Sequence, residues 1–573
     1  MKAGEILING IFNGSRLLEV PFFQRSYVWD EEQWDRFLDD MEFVTLTKKP
    51  YFLGSIILKS GKAPNTWDHF SDCKVVIDGQ QRLTTLMIFF KVLCLKNGEN
   101  RLFDRDFRLE DDTIALQHGR SDRSAFLAVT SQEKAEGIEN TVPASQIISA
   151  FNYFIKKINP EKLDRNTIKQ NIQFVCIDLL EDEDEQQVFD TINSLGVRLT
   201  TSELLKNYFY SKDDIKEYEQ NWESIFEADA ETRAYWKQEF EVGRLNRSMI
   251  DIFFDSYFQI FIQDKKYGIS TEAKALYSRA DRLSKSYQDF ITAYCDGNKS
   301  VVLGPMAEYA KCFREIFNPE YCNMSIPSSP SIERINVVIF GLKTTTLIPY
   351  ILYVAKNVAD EDEKDKIFGF LESYIMRRMV THATTKNYNN LFTSLILNQV
   401  LDADSLKTRL SKGTDISTYL PNDDDLLLGF QQSKLSNLQT RGILYLIEAG
   451  IRPNKSSTAL LGFNNYSVEH MMPKNWDRNW DSCESQEAAK RRDSLLLTLG
   501  NLAIIPQTLN ASIRDGDWPT KKAGNGPKKP GLTLCAAGLC TISDALKCDV
   551  WNEEEINKRA LWLFDQAKQL WQV

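Results

Sequence analysis

The chain has 573 residues, 43% of them apolar and 26% charged, with a formal net charge of −11. This length can bury several cores, about three to four domains at ~150 residues each. The acidity argues against a surface coated for nucleic acid, because affinity for DNA depends on neutralising phosphates. Met1 to Asn13 carries Glu5 and no sustained apolar core, so no signal peptide is expected. The most membrane-like stretch, Val337 to Val354, contains Lys343, three consecutive threonines and Pro349 and reads as a buried helical segment. Ten cysteines without a CxxC pair describe neither a disulfide framework nor a common zinc site, and the expected location is cytoplasmic.

In chain order, Asp30 with Gln33 forms a candidate capping box, after which Trp34, Phe37, Leu38, Met41 and Val44 share one helical face and predict core. Lys74 to Leu93 reads KVVIDGQQRLTTLMIFFKVL. The β-branched run Val75 to Ile77 predicts a strand, Gly79 a sharp turn, and Leu83 to Leu93 a helix. The segment DGQQR, Asp78 to Arg82, therefore falls where a strand enters a helix N-terminus. Free N–H groups and the positive helix end suit a phosphate there, with Arg82 as a bidentate cation and Asp78 placed to hold a metal or a water. The site suggests a nucleotide, although no GxxxxGK[ST] occurs anywhere. Thr200 with Glu203 repeats the capping logic ahead of Leu204, Leu205, Tyr208 and Phe209.

From Tyr210 to Phe463 the pattern is helical, broken by linker-like pieces such as Ser325 to Ser331, and shows no catalytic cluster. Arg377 and Arg378 read as structural ion-pair partners and His382 as a structural histidine. The acidic runs Glu181 to Glu185 and Asp360 to Asp365 read as solvated turns and helix starts.

Near the C-terminus, Ser467 to Asn475 reads SVEHMMPKN and Leu499 to Asn510 reads LGNLAIIPQTLN. Of the four histidines, His69, His118, His382 and His470, only His470 sits in a chemical constellation. It could serve as a near-neutral general base. Glu469 and the amide oxygen of Asn510 could hold a hard divalent cation such as Mg²⁺ or Mn²⁺, which prefers oxygen ligands, and Asn501 would orient the imidazole. This His, Asn, Asn order resembles the HNH site of His-Me finger nucleases. From Lys490 to Pro530 eight basic residues stand against three aspartates, a local net of +5. Arg514, Lys521 and Lys522 are the candidate DNA contacts there, and the competing reading is a solvated loop that orders on DNA.

The segment from about Asn464 to Val573, with EHxxP, LGNL, a following Asn and the terminal WNEEEINKRALWLFDQAKQLW, resembles the nuclease domain of GmrSD-type modification-dependent restriction endonucleases. Four N-terminal blocks resemble the GmrS-like half: Val20 to Met41, the stretch from Tyr51 (YFLGSIIL), DGQQR, and Val188 to Phe209. That resemblance implies a ParB and sulfiredoxin-like α/β domain that binds and hydrolyses nucleoside triphosphates. Its site would comprise Asp78, Gly79, Gln80, Gln81 and Arg82, with Gln24 and Arg25 as second contributors, unless Arg25 only anchors the loop between Pro21 and Trp29.

The expected architecture is α+β and helix-rich: a nucleotide-binding domain over 1–210, a helical connector over 211–463, and a ββα-metal nuclease over 464–573. The expected work is nucleotide-licensed cleavage of double-stranded DNA in antiphage defence, with ATP, GTP, UTP and CTP not distinguished and a homodimer allowed. The resemblance suggests modified phage DNA, such as glucosylated hydroxymethylcytosine, as the substrate. Two alternatives stay open: a nucleotide-regulated DNA-binding sensor with an inactive nuclease half, and a toxin-like nuclease on unmodified nucleic acid.

Overall fold

A computed structural model describes residues 2–60, 72–140, 144–180, 200–211, 214–243, 245–413, 415–453, 458–507, 516–526, 530–536 and 538–573. The chain divides into two compact units, Met1–Ala234 and Tyr235–Val573.

The first unit is built on a six-stranded mixed sheet. Its strands are β1 (Lys2–Leu7), β2 (Arg16–Glu19), β3 (Tyr51–Ser60), β4 (Asp72–Asp78), β5 (Leu116–Gln117) and β6 (Ile172–Leu179), in the order β1-β6-β3-β4-β2-β5. β3 runs parallel to β6 and antiparallel to β4, so Ile57 lies opposite both Asp78 and Ile177. Helix α1 (Glu31–Thr47) starts on the Asp30/Gln33 capping box and buries Trp34, Phe37, Leu38, Met41 and Val44 as expected. Helix α2 (Gln80–Lys96) is buried on every side from Leu83 to Leu95, which an apolar circumference requires. It packs against α3 (Gln146–Lys157), and Phe37, Phe89 and Phe154 meet at centroid distances of 5.5 to 6.3 Å. Helix α4 (Thr201–Phe209) opens on the Thr200/Glu203 box.

The second unit is mainly helical. A short antiparallel pair, β7 (Glu239–Val242) and β8 (Leu245–Ser248), precedes α5 (Met249–Gln263). The later helices include α6 (Ser300–Ile316), α7 (Ile348–Asn357), α8 (Glu361–Val380), α9 (Asp423–Gln432) and α10 (Asn437–Ile451). Residues Val337 to Val354 form buried helical turns, and among the described residues no helix is long and apolar enough to cross a membrane.

Ser325 to Ser331 is not a linker. Ile326 is buried, the Pro327 carbonyl accepts from Arg334 at 3.2 Å, and Pro330 lies against Gly369 so closely that a Cβ there would meet it at 2.8 Å. Proline and serine break helices whether they face solvent or a packed core, so composition misread this segment. Arg377 bears out the ion-pair expectation through Asp423 at 2.8 Å. Arg378 instead donates to the Tyr419 and Ser417 carbonyls and lies over the rings of Tyr374, Tyr388 and Tyr419, a cation held by carbonyls and π-faces.

The last elements are β9 (Tyr466–His470), α11 (Gln486–Leu495), β10 (Leu502–Pro506), α12 (Trp518–Ala523) and α13 (Glu553–Leu570). β9 and β10 pair antiparallel, with His470 opposite Leu502 and Glu469 opposite Ala503. α13 carries Arg559, whose guanidinium donates to the Leu499, Gly500 and Leu502 carbonyls at 2.8 to 2.9 Å and so pins the turn into β10.

Candidate functional site

The hairpin brings Glu469, His470 and Asn501 together, and α12 adds Lys521. His470 closes β9 and is half-buried. Asn501 is fully buried, and its side chain donates to the Met472 and Leu496 carbonyls at 2.9 and 3.0 Å. Its oxygen accepts from Met472 N at 2.8 Å and Trp551 Nε1 at 3.0 Å, while its own carbonyl accepts from Met471 N. Both amide hydrogens and both oxygen lone pairs are thus engaged. Asn501 fixes the backbone that leaves His470, so it positions the histidine through the chain instead of through the imidazole.

Glu469 is buried, and its carboxylate is ion-paired to the ammonium of Lys521, which also donates to the His470 carbonyl. Lys521 is 1% exposed, so in this conformation it is not presented to a DNA phosphate as the basic segment suggested. Lys522 is tethered to the Cys548 carbonyl at 2.7 Å. Among the described residues of that segment Lys490 and Arg491 are exposed, whereas Arg492 is buried over Trp476 and paired with Glu553 at 2.6 Å. Asn510 and Arg514 lie outside the described residues.

Among the described residues no cluster of three or more His, Cys, Asp or Glu could hold a metal. The donor present nevertheless fits a hard cation: Glu469 is a buried carboxylate in a place that already holds one positive charge. A cavity of about 170 Å³ is bounded among others by Thr541, Trp551, Glu555, Arg559 and Trp562, and Glu469, His470 and Asn501 do not line it.

In the first unit, Gly79 caps α2 with φ 97, a left-handed conformation that glycine adopts at little cost. A Cβ there would meet Ile56 Cγ2 at 2.6 Å. Arg82 lies across β3: its Nη1 donates to the Ser55 carbonyl at 3.0 Å, Asp78 stands 3.8 Å away, and Gly54 leaves room for the guanidinium. The neighbouring amides have a different task. Gln80 donates to the Arg25 carbonyl at 2.9 Å, and Gln81 donates to the Ser26 carbonyl and accepts from Val28 N. Gln24 donates back to the Val76 and Ile77 carbonyls of β4. These three glutamines clamp the Pro21 to Trp29 loop over the helix N-terminus, and Tyr27 completes the clamp through Thr85 at 2.6 Å and Trp34 at 2.8 Å.

Asp78, Arg82 and the first N–H groups of α2 lie together at this turn, and Arg25 beside them is half-buried. His118, buried against Phe126 and 3.1 Å from Thr84 Oγ1, is pushed down to about 3 by desolvation and stays neutral.

Sequence reasoning missed Gly54, Ser55, Tyr27, Trp551 and Arg559. Only Trp551, a bulky apolar residue directly before a capped helix, carried a signal, and its partner Asn501 lies fifty positions away.

Residues 7–210 match the family described as GmrSD restriction endonuclease, N-terminal domain, and residues 420–566 match GmrSD restriction endonucleases, C-terminal domain. The chain belongs to the GmrSD restriction endonucleases. No curated protein matches it. The family makes it a DNA endonuclease of restriction. The first match contains the DGQQR turn and the second contains the whole hairpin with α12 and most of α13.

Proposed function

We propose that this GmrSD protein is a metal-dependent endonuclease whose cutting centre is the β9–β10 hairpin and whose nucleotide site is the Asp78–Arg82 turn. The observation that carries the reading is the pairing, on one strand end, of a half-buried histidine with a buried carboxylate that already neutralises a cation. His470 takes the proton from the attacking water as the new P–O bond forms and the bond to the leaving oxygen breaks. Asn501 holds the backbone beyond His470 so that the imidazole is presented from a rigid strand end. Glu469, with Asn510, would hold Mg²⁺ or Mn²⁺, which supplies charge stabilisation on the phosphate and leaving oxygen when bound.

At the first site, the backbone N–H groups of α2 and Arg82 receive the triphosphate, while Gln24, Gln80 and Gln81 hold the loop that closes over it. Binding or turnover there licenses cleavage only if the nucleotide prefers one conformation of the protein. The target is modified phage DNA. Incubation with Mg²⁺ or Mn²⁺ and each nucleoside triphosphate should cleave glucosylated-hydroxymethylcytosine phage DNA and spare its unmodified counterpart. Equal cleavage of both would remove the modification specificity and favour a toxin-like nuclease.

A further inference from the structure

Lys521 is the least expected member of the nuclease site. It follows Trp518 and Pro519 on a two-turn helix whose start is capped by Asp517. Trp518 donates to the Cys548 carbonyl at 3.0 Å and packs on Trp551 with centroids 5.3 Å apart. Trp551 in turn donates to Asn501. One chain of contacts therefore fixes both the backbone after His470 and the helix that delivers the Lys521 ammonium. That ammonium arrives between the Glu469 carboxylate and the His470 carbonyl, two oxygens of the kind a hard cation selects.

Two cations on one buried carboxylate oppose each other here. A divalent ion on Glu469 would stand within a few ångströms of the ammonium, with both partner side chains at most 7% exposed and little water to screen them. Removing Lys521 without a replacement would take the ammonium from a buried carboxylate, which is unfavourable. Each cation thus favours release of the other.

We propose that Lys521 is the resident cation of the nuclease site, a positioning residue that holds Glu469 and the His470 strand end until a divalent metal exchanges with it. The displaced ammonium, still anchored through α12 beside the hairpin, is then placed to meet a DNA phosphate. This inference rests on the metal-dependent reading given above, and its test separates the two.

Lysine acylation of the full-length protein, read by mass spectrometry, decides it. In EDTA, Lys521 should resist labelling while exposed Lys407 reacts. In saturating Mn²⁺, Lys521 should label faster by roughly ten-fold or more, and Lys407 should not change. Mn²⁺ titration followed by electron paramagnetic resonance should show binding about ten-fold tighter in Lys521→Met, because one competing charge is gone, and unchanged in Lys521→Arg. Should Lys521→Met fail to fold, the wild-type labelling still decides. Bound Mn²⁺ with Lys521 still protected overturns the exchange and leaves the nuclease reading standing. Wild-type protein that binds no Mn²⁺ overturns both.

Discussion

Gly79 and His118 show how much single residues were legible. The turn at Gly79 was readable, because a glycine between a β-branched run and a helix announces an unusual backbone angle. Its second constraint, Ile56 at 2.6 Å from where a Cβ would be, comes from a strand residue twenty-three positions earlier and has no local signature. Gly79→Ala should therefore cost about 2–4 kcal/mol from left-handed strain and overpacking together. Urea unfolding would measure it, and a loss below about 0.5 kcal/mol would mean the turn relaxes freely.

His118 makes a pH prediction. Its folded value, about 3, lies below the ordinary 6.5, so the unfolded chain takes up a proton first as pH falls. Stability from this residue is complete above pH 6.5 and declines toward pH 3. The decline amounts to about 2 kcal/mol between pH 7 and pH 5. Unfolding free energies measured across that range should fall less steeply by this amount in His118→Gln, and parallel pH slopes would refute the assignment.

Elements were legible where a pattern is local. Capping boxes at Asp30/Gln33 and Thr200/Glu203 and the apolar stripe of α1 stand as read. What side chains do between elements was not. Gln24, Gln80 and Gln81 sit in a motif that suggests ligand contact, yet their amides bond to backbone across fifty-odd positions. Gln81→Ala frees Val28 N and the Ser26 carbonyl, so backbone amides in residues 21–29 should exchange hydrogen faster by roughly ten-fold, the equivalent of one to two lost hydrogen bonds. Unchanged exchange would show that Tyr27 holds the loop alone.

Asn501, directly before β10, ties the segment after β9, the end of α11 and the residue ahead of the α13 cap together through four side-chain hydrogen bonds. Asn501→Ala should destabilise the second unit by about 3–5 kcal/mol, since four buried groups lose their partner. Thermal unfolding with His470→Ala as the control would distinguish this from a purely catalytic role, which would leave the melting temperature unmoved.

At the scale of the whole molecule, the two family-matched segments were readable from motifs, whereas the middle of the chain was not, because helical periodicity says which face is buried and not against what. Residues 235–573 form one compact unit in which the C-terminus is a structural part. Trp571 is 1% exposed, donates to Glu372 at 3.0 Å and has its carbonyl bound by Arg377 at 2.6 Å. Glu372 is also the buried partner of Arg334. Trp571→Ala should therefore cost about 3–5 kcal/mol, as for other buried aromatic truncations, with a matching fall in melting temperature. A variant as stable as wild type would show that the helical region stands without the terminal helix. Charge followed the same division: the net −11 was plain, but which cations of the +5 segment face outward depended on Glu469, Glu553 and the Cys548 carbonyl.

The most direct measurement compares DNA cleavage by wild type and His470→Ala in Mg²⁺ or Mn²⁺, with matched circular dichroism and the same triphosphate turnover assay on both. Wild type should cut, and His470→Ala should lose cleavage by a factor of about 10² or more while its fold and triphosphate turnover are kept. Cleavage that survives in His470→Ala, or a wild type that turns over triphosphate and never cuts, would contradict the placement of the cutting centre at the β9–β10 hairpin.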